Sequence, residues 1–190
     1  MLKRRRGYHA LMKSERELRR ERRIGLIVSI TLVSIAVIAW LTLKFVMGFS
    51  RVGANSMAPT IHRGDRVSVN RAAYRFGRKP RVGDVASYRA LKGEHYIHRI
   101  VGGPGDTIAL RDNVLFRNGR RVDEPYIMLT PDIPAVRSFG PVEVPPGHYF
   151  FLGDNRDNAN DSRFQGFTAE RDIRGRMGSV LHIGECDAPM

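Results

Sequence analysis

The chain has 190 residues, 42% of them hydrophobic, which suffices for one domain with its own core plus an appendage. Its formal charge of +13 raises the question of nucleic acid, but residues 1–23 alone hold ten Lys and Arg against three Glu, so the excess is concentrated at the front. The single cysteine, Cys186, excludes an intrachain disulfide and a cysteine-built zinc site, and six histidines without HExxH spacing argue against a metal hydrolase.

Residues 24–43 (IGLIVSITLVSIAVIAWLTL) carry no charge and are long enough to cross roughly 30 Å of hydrocarbon as a helix. A cleaved signal peptide is the competing reading, but the run is too long for its apolar region and lacks a small-x-small site after it. The expected organisation is therefore a basic cytoplasmic segment at 1–23, a transmembrane helix at 24–43 and an extracytoplasmic β-rich domain at 44–190. The basic residues keep the N-terminus inside and face anionic lipid, which removes the need for a nucleic-acid partner.

Beyond the span the pattern is β. Asp65–Val69 and Asp84–Tyr88 alternate with period two, His95–Val101 follows, and Thr107–Leu110 precedes Val114–Arg117, which runs into the hairpin signal Asn118-Gly119. Residues 125–146 hold six further prolines after Pro104 and predict loop, while His148–Leu152 and Met177–Ile183 complete the strands. Short strands separated by Gly turns favour a barrel or sandwich.

Three polar clusters remain. They are Ser56-Met57-Ala58-Pro59-Thr60, then His98-Arg99-Ile100-Val101-Gly102-Gly103-Pro104-Gly105-Asp106, then Gly153-Asp154-Asn155-Arg156-Asp157-Asn158-Ala159-Asn160-Asp161-Ser162-Arg163. Alone, each reads as a turn, and the third also as a Ca²⁺ loop, although it lacks the Gly and Glu an EF-hand requires. In this order, with Gly64–Asn70 as an intervening strand box, they resemble the type I signal peptidase family over about residues 50–183. The resemblance implies a mostly β, signal-peptidase-like catalytic domain on one N-terminal membrane helix. It implies a cell-membrane serine endopeptidase that cuts secretory signal peptides after small residues of the Ala-x-Ala type, with no cofactor and no metal.

Three positions depart from the common family pattern. His98 stands where a lysine is the usual general base, with Lys92 too far upstream to replace it. Ala159 stands where a lysine-bonding serine is common, and Ala54 where some relatives carry an oxyanion hydroxyl. The resemblance then assigns Ser56 as nucleophile, His98 as base and Asp161 as the group orienting His98. Asn55 or a backbone N–H would stabilise the oxyanion, and Val52, Met57, Ile61, Tyr96 and Ile97 would line shallow substrate pockets. A histidine base predicts a rate profile rising through a pKa of about 6 to 7. Two alternatives stay open: a specialised peptidase for pilin or conjugation substrates, and a membrane-tethered binding module that has lost catalysis.

Overall fold

The computed structural model describes residues 15–182 apart from 76, 91–92 and 130–135. The first fourteen residues, Lys92, Pro131, Pro134, Ile183 and Cys186 lie outside that range. The chain divides into two units, 1–45 and 46–190.

The first unit is the helix α1, Glu15–Val46. It begins nine residues before the apolar run because Glu, Arg and Leu at 15–23 are good helix formers, with Glu15 and Glu17 suitably placed in the first turn. A membrane-span candidate covers Glu17–Leu41, and none of it is buried within the protein. Apolar residues face outward all round, from Ile24 through Leu26, Val33 and Ile38 to Leu43. By length and composition the helix could cross a membrane, and its apolar residues are not gathered into the single stripe of an amphipathic helix. Thr31 Oγ1 donates to the Ile27 carbonyl at 2.9 Å, so that hydroxyl is satisfied within the helix.

The second unit is mostly β, as expected. Its strands are β1 Met47–Arg51, β2 Arg66–Asn70, β3 Val85–Arg89, β4 His95–Gly102, β5 Thr107–Arg111, β6 Val114–Arg117, β7 Arg120–Arg121, β8 Phe139–Glu143, β9 His148–Leu152, β10 Thr168–Ala169 and β11 Ile173–Leu181. A one-turn helix, α2, spans Ser162–Gln165. The strands form an antiparallel seven-stranded sheet, β1-β2-β11-β3-β4-β9-β10, and a four-stranded sheet, β7-β6-β5-β8.

Strand β9 joins the two main cores. Tyr149 and Phe151 pack with Ala86, Tyr88, Ile100 and Ile173, whereas Phe150 and Leu152 pack with Val101, Ile108, Leu110 and Leu115. Both faces are covered, so the sequence reads as a continuous apolar run rather than an alternating one. A third cluster, Met57, Ile61, Val67, Val69 and Val85, sits beneath the loop that carries Ser56.

Four strands depart from expectation, the two-residue β10 among them. Strand β1 lacks any alternation and is an edge strand held only by β2. Strand β8 lies inside the proline-rich stretch, and it accommodates Pro141 because it is also an edge, where a missing N–H costs no ladder bond. Strand β11 starts at Ile173 rather than Met177, because Gly175 occupies an inward position usually marked by a side chain. A Cβ there would stand 2.4 Å from the Asn70 carbonyl oxygen.

Candidate active site

The Ser56 loop leaves β1 and returns to β2. Its base is closed by two backbone bonds of 2.9 Å, Val52 N–H to the Asp65 carbonyl and Gly64 N–H to the Val52 carbonyl. Met57, Ala58 and Ile61 are buried and pin the loop from below, leaving Ser56 partly exposed. From the far side, Asn155 N–H donates to the Ser56 carbonyl at 3.1 Å. Gly153 allows that approach, since a Cβ at this position would lie 2.6 Å from the same carbonyl oxygen.

His98 is on β4, opposite Ala86 of β3, and is fully buried. Its Nε2 lies 3.1 Å from Ser56 Oγ, within hydrogen-bond reach. Its Nδ1 lies 2.9 Å from Tyr88 Oη. Tyr88 is two residues along β3 from the partner of His98, which places it diagonally across on the same face of the sheet. Phe151 stacks on Tyr88 with centroids 4.2 Å apart, and Tyr96 stacks on the imidazole at 5.6 Å, so both rings are held between neighbours.

Asp161 was expected at Nδ1 and is engaged elsewhere. Its carboxylate, buried completely, accepts from Gly153 N–H at 3.0 Å, from Arg163 N–H at 3.1 Å and from two Arg163 guanidinium nitrogens at 2.9 Å each. The fork-on-fork fit to Arg163 and the cap on α2 use up its lone-pair directions. Tyr88 is the residue the sequence reading missed. The signal was its position on β3 relative to His98, which becomes visible only once the strand register is known.

Burial pulls the His98 imidazole down to about 4, opposed by the nearby Asp161 and Asp154 carboxylates and reinforced by Arg163. The ring is therefore neutral at physiological pH and able to accept a proton. This corrects the expectation of a base near 6 to 7. Burial, with Asp161 adding to it, pushes the Tyr88 phenol well above its ordinary range, so Tyr88 keeps its proton.

Charged groups brace the site. Arg99, next to His98, makes two bonds to Asp154, of 2.9 and 2.6 Å, and stacks 3.8 Å above the Tyr126 ring. Asp154 also accepts from Thr60 Oγ1 at 2.5 Å, linking the serine loop to the third cluster. Arg156, buried, joins Glu124 at 2.6 Å and the carbonyls of Gly153 and Asn113. Asp106 has a different place: it holds the β4–β5 turn through Gly103 N–H and Asn118.

Beside the dyad lies a cavity of about 190 Å³ whose lining includes Val52, Ala54, Ser56, Met57, Ile61, Tyr96 and Ile97. Asn55 is not among its lining residues. The Asn55 side chain is exposed and its Oδ1 accepts from Arg63 N–H at 2.8 Å, bracing the loop. Along β4, His95–Ile97 pair with β3, whereas pairing with β9 begins only at Arg99, so one edge of His95–Ile97 is left unpaired by β9. A histidine at hydrogen-bond distance from a loop serine, next to a small apolar cavity, is an arrangement suited to acyl transfer.

Comparison with known proteins gives a consistent picture. Residues 24–182 match the family described as signal peptidase, peptidase S26. The chain is 38% identical over 155 residues to a signal peptidase I of Bacillus caldolyticus, covering 76% of this chain and 84% of that protein. It is 36% identical over 167 residues to signal peptidase I S of Bacillus subtilis strain 168, covering 80% and 85%. Among solved structures, a signal peptidase I of Enterococcus faecalis V583 is similar with a TM-score of 0.46 and 29% identity, covering 52% of this chain and 96% of that one.

Proposed function

Because the chain belongs to the signal peptidase, peptidase S26, family and is a protease of signal peptides, we propose that it does this work as a membrane-bound serine endopeptidase with a histidine base. The observation that carries the proposal is the 3.1 Å approach of His98 Nε2 to Ser56 Oγ. The productive tautomer holds its hydrogen on Nδ1, donated to Tyr88 Oη, and presents the Nε2 lone pair to the serine hydroxyl. Ser56 Oγ attacks the scissile carbonyl as His98 takes its proton. The imidazolium then protonates the leaving amine, and water, activated by the same nitrogen, hydrolyses the acyl-enzyme.

The oxyanion requires a donor. Among the described residues no acceptor takes the Ser56 N–H, which leaves that group available for the role. Asp161 acts on His98 through its field rather than by contact. The substrate's extended segment adds alongside His95–Ile97, and a cavity of about 190 Å³ suits small side chains such as Ala before the cut. Helix α1 anchors the enzyme, and its basic flank holds the N-terminus in the cytoplasm, which puts residues 44–190 outside. The substrates are secretory preproteins. The paired geometry of Ser56 and His98 favours this reading over a binding module without activity.

The test uses the full chain in detergent and a peptide with Ala at the third and first positions before the bond. Ser56→Ala and His98→Gln are each expected to lower kcat by at least ~10³-fold with little change in stability at neutral pH. Cleavage by Ser56→Ala at the rate of the unaltered protein would overturn the assignment.

A further inference from the structure

The histidines show no HExxH spacing along the sequence, yet folding brings His182, 117 residues on, to the Asp65 carboxylate, which has His62 three residues before it. We propose that His62, Asp65 and His182 form a site for one divalent transition-metal ion, with Zn²⁺ the best match. One ligand atom from each of the three lies within 4.8 Å of the others. His182 Nδ1 is 2.8 Å from Asp65 Oδ2, and the His62 and His182 rings face each other edge-on with centroids 6.4 Å apart.

The carboxylate is fixed before any ion arrives. Asp65 is buried, its Oδ2 accepts from His62 N–H at 2.9 Å, and its backbone carbonyl holds Val52 N–H. His62 is partly buried, while the His182 side chain is 56% exposed. An ion between His182 Nδ1 and Asp65 Oδ2 replaces the proton they share. With bonds of about 2.0 to 2.1 Å to tetrahedral zinc, that pair needs to open only to about 3.3 Å. Two imidazoles and one carboxylate are borderline ligands that favour Zn²⁺, Ni²⁺ or Cu²⁺ over Mg²⁺ or Ca²⁺, and the solvent side leaves a position for water.

The ion would do structural work. Asp65 closes the base of the Ser56 loop and His182 follows the end of β11, so one ion ties that strand end to the catalytic loop. Neither histidine takes part in the hydrogen bonds of Ser56 and His98. Exposed Arg63 and Arg66 flank Asp65 in sequence and weaken cation binding, but water screens them.

The full chain in detergent, stripped with EDTA, is titrated with ZnCl₂ by calorimetry and by thermal unfolding. One equivalent is expected to bind, and hundredfold excess over Kd to raise Tm by roughly 5 °C. Co²⁺ in place of Zn²⁺ should give the intense visible bands of a four-coordinate ion. His182→Ala and His62→Ala should each weaken binding at least ~10-fold, while Cys186→Ser leaves it unchanged. His182→Ala removes a bond to Asp65 and should lower the unliganded Tm somewhat while keeping one cooperative transition, so loss of binding there is not loss of fold. Peptide cleavage should persist in EDTA, which separates this site from the serine chemistry. No saturable binding by the unaltered chain, or binding by both His→Ala variants as tight as that of the unaltered chain, would overturn the proposal.

Discussion

At the residue scale the decisive feature is a fully buried histidine. Desolvation takes His98 to about 4, so it stays unprotonated through the range in which a surface histidine would titrate. For the free enzyme, kcat/KM should hold level from neutral pH down to about 5 and then fall as His98 gains a proton near 4. A limb at 6 to 7 would mean that the ring is more hydrated than its buried position implies. Among the described residues Tyr88 is the only hydrogen-bond partner of Nδ1, and in the proposed tautomer Tyr88→Phe leaves a buried N–H without an acceptor, at a cost of about 1 to 3 kcal/mol. That corresponds to a fall in kcat on the order of 10- to 100-fold, with KM little altered, measured on the same peptide. Ser56 and His98 were legible in the sequence because their boxes keep a fixed order and spacing. The partner of His98 was not: the resemblance points to Asp161, and only the strand register, with Arg163 engaging Asp161, puts Tyr88 at Nδ1 instead.

At the scale of elements, the site is where three segments meet: the loop between β1 and β2, strand β4, and the turn after β9. The tightest meeting point is Gly153. A methyl group there would lie 2.4 Å from Ala159 Cβ and 2.6 Å from the Ser56 carbonyl oxygen, and the latter is backbone that cannot rotate away. Gly153→Ala should therefore push the serine loop off Asn155. Denaturant unfolding is expected to show a loss of about 1 to 3 kcal/mol, with cleavage falling more than the stability loss explains. The strands that carry this machinery were legible from their alternation or apolar runs: β2, β3, β4 and β9 all fall within a residue of where the pattern puts them. The edge strands were not. With one neighbour each, β1 and β8 place weaker demands on side-chain pattern, and a Gly or Pro is tolerated there.

At the scale of the whole molecule, the catalytic unit stores uncommon amounts of polar matter in its interior: His98, Asp161 with Arg163, and Arg156 with Glu124 are all buried. Ion pairs of this kind keep their partners satisfied but add little net stability over apolar packing. For His98 the nearby Asp161 and Asp154 carboxylates compensate its charged form only in part, and burial prevails, so it couples folding to pH. In the unfolded chain it takes up a proton near 6.5, whereas the folded protein refuses that proton until about 4. Between these values the unfolded state binds more protons, so stability rises with pH across the window and is lost as pH falls through it. The difference amounts to about 3 kcal/mol at ~1.4 kcal/mol per unit. Other carboxylates also weaken a fold in acid, so the comparison that isolates this effect is between the unaltered chain and His98→Gln. Unfolding in urea at pH 6.5 and at pH 4 should show the unaltered chain losing about 3 kcal/mol more than the variant over that interval. Equal losses would mean that the imidazole gains its proton inside the folded protein as readily as outside it.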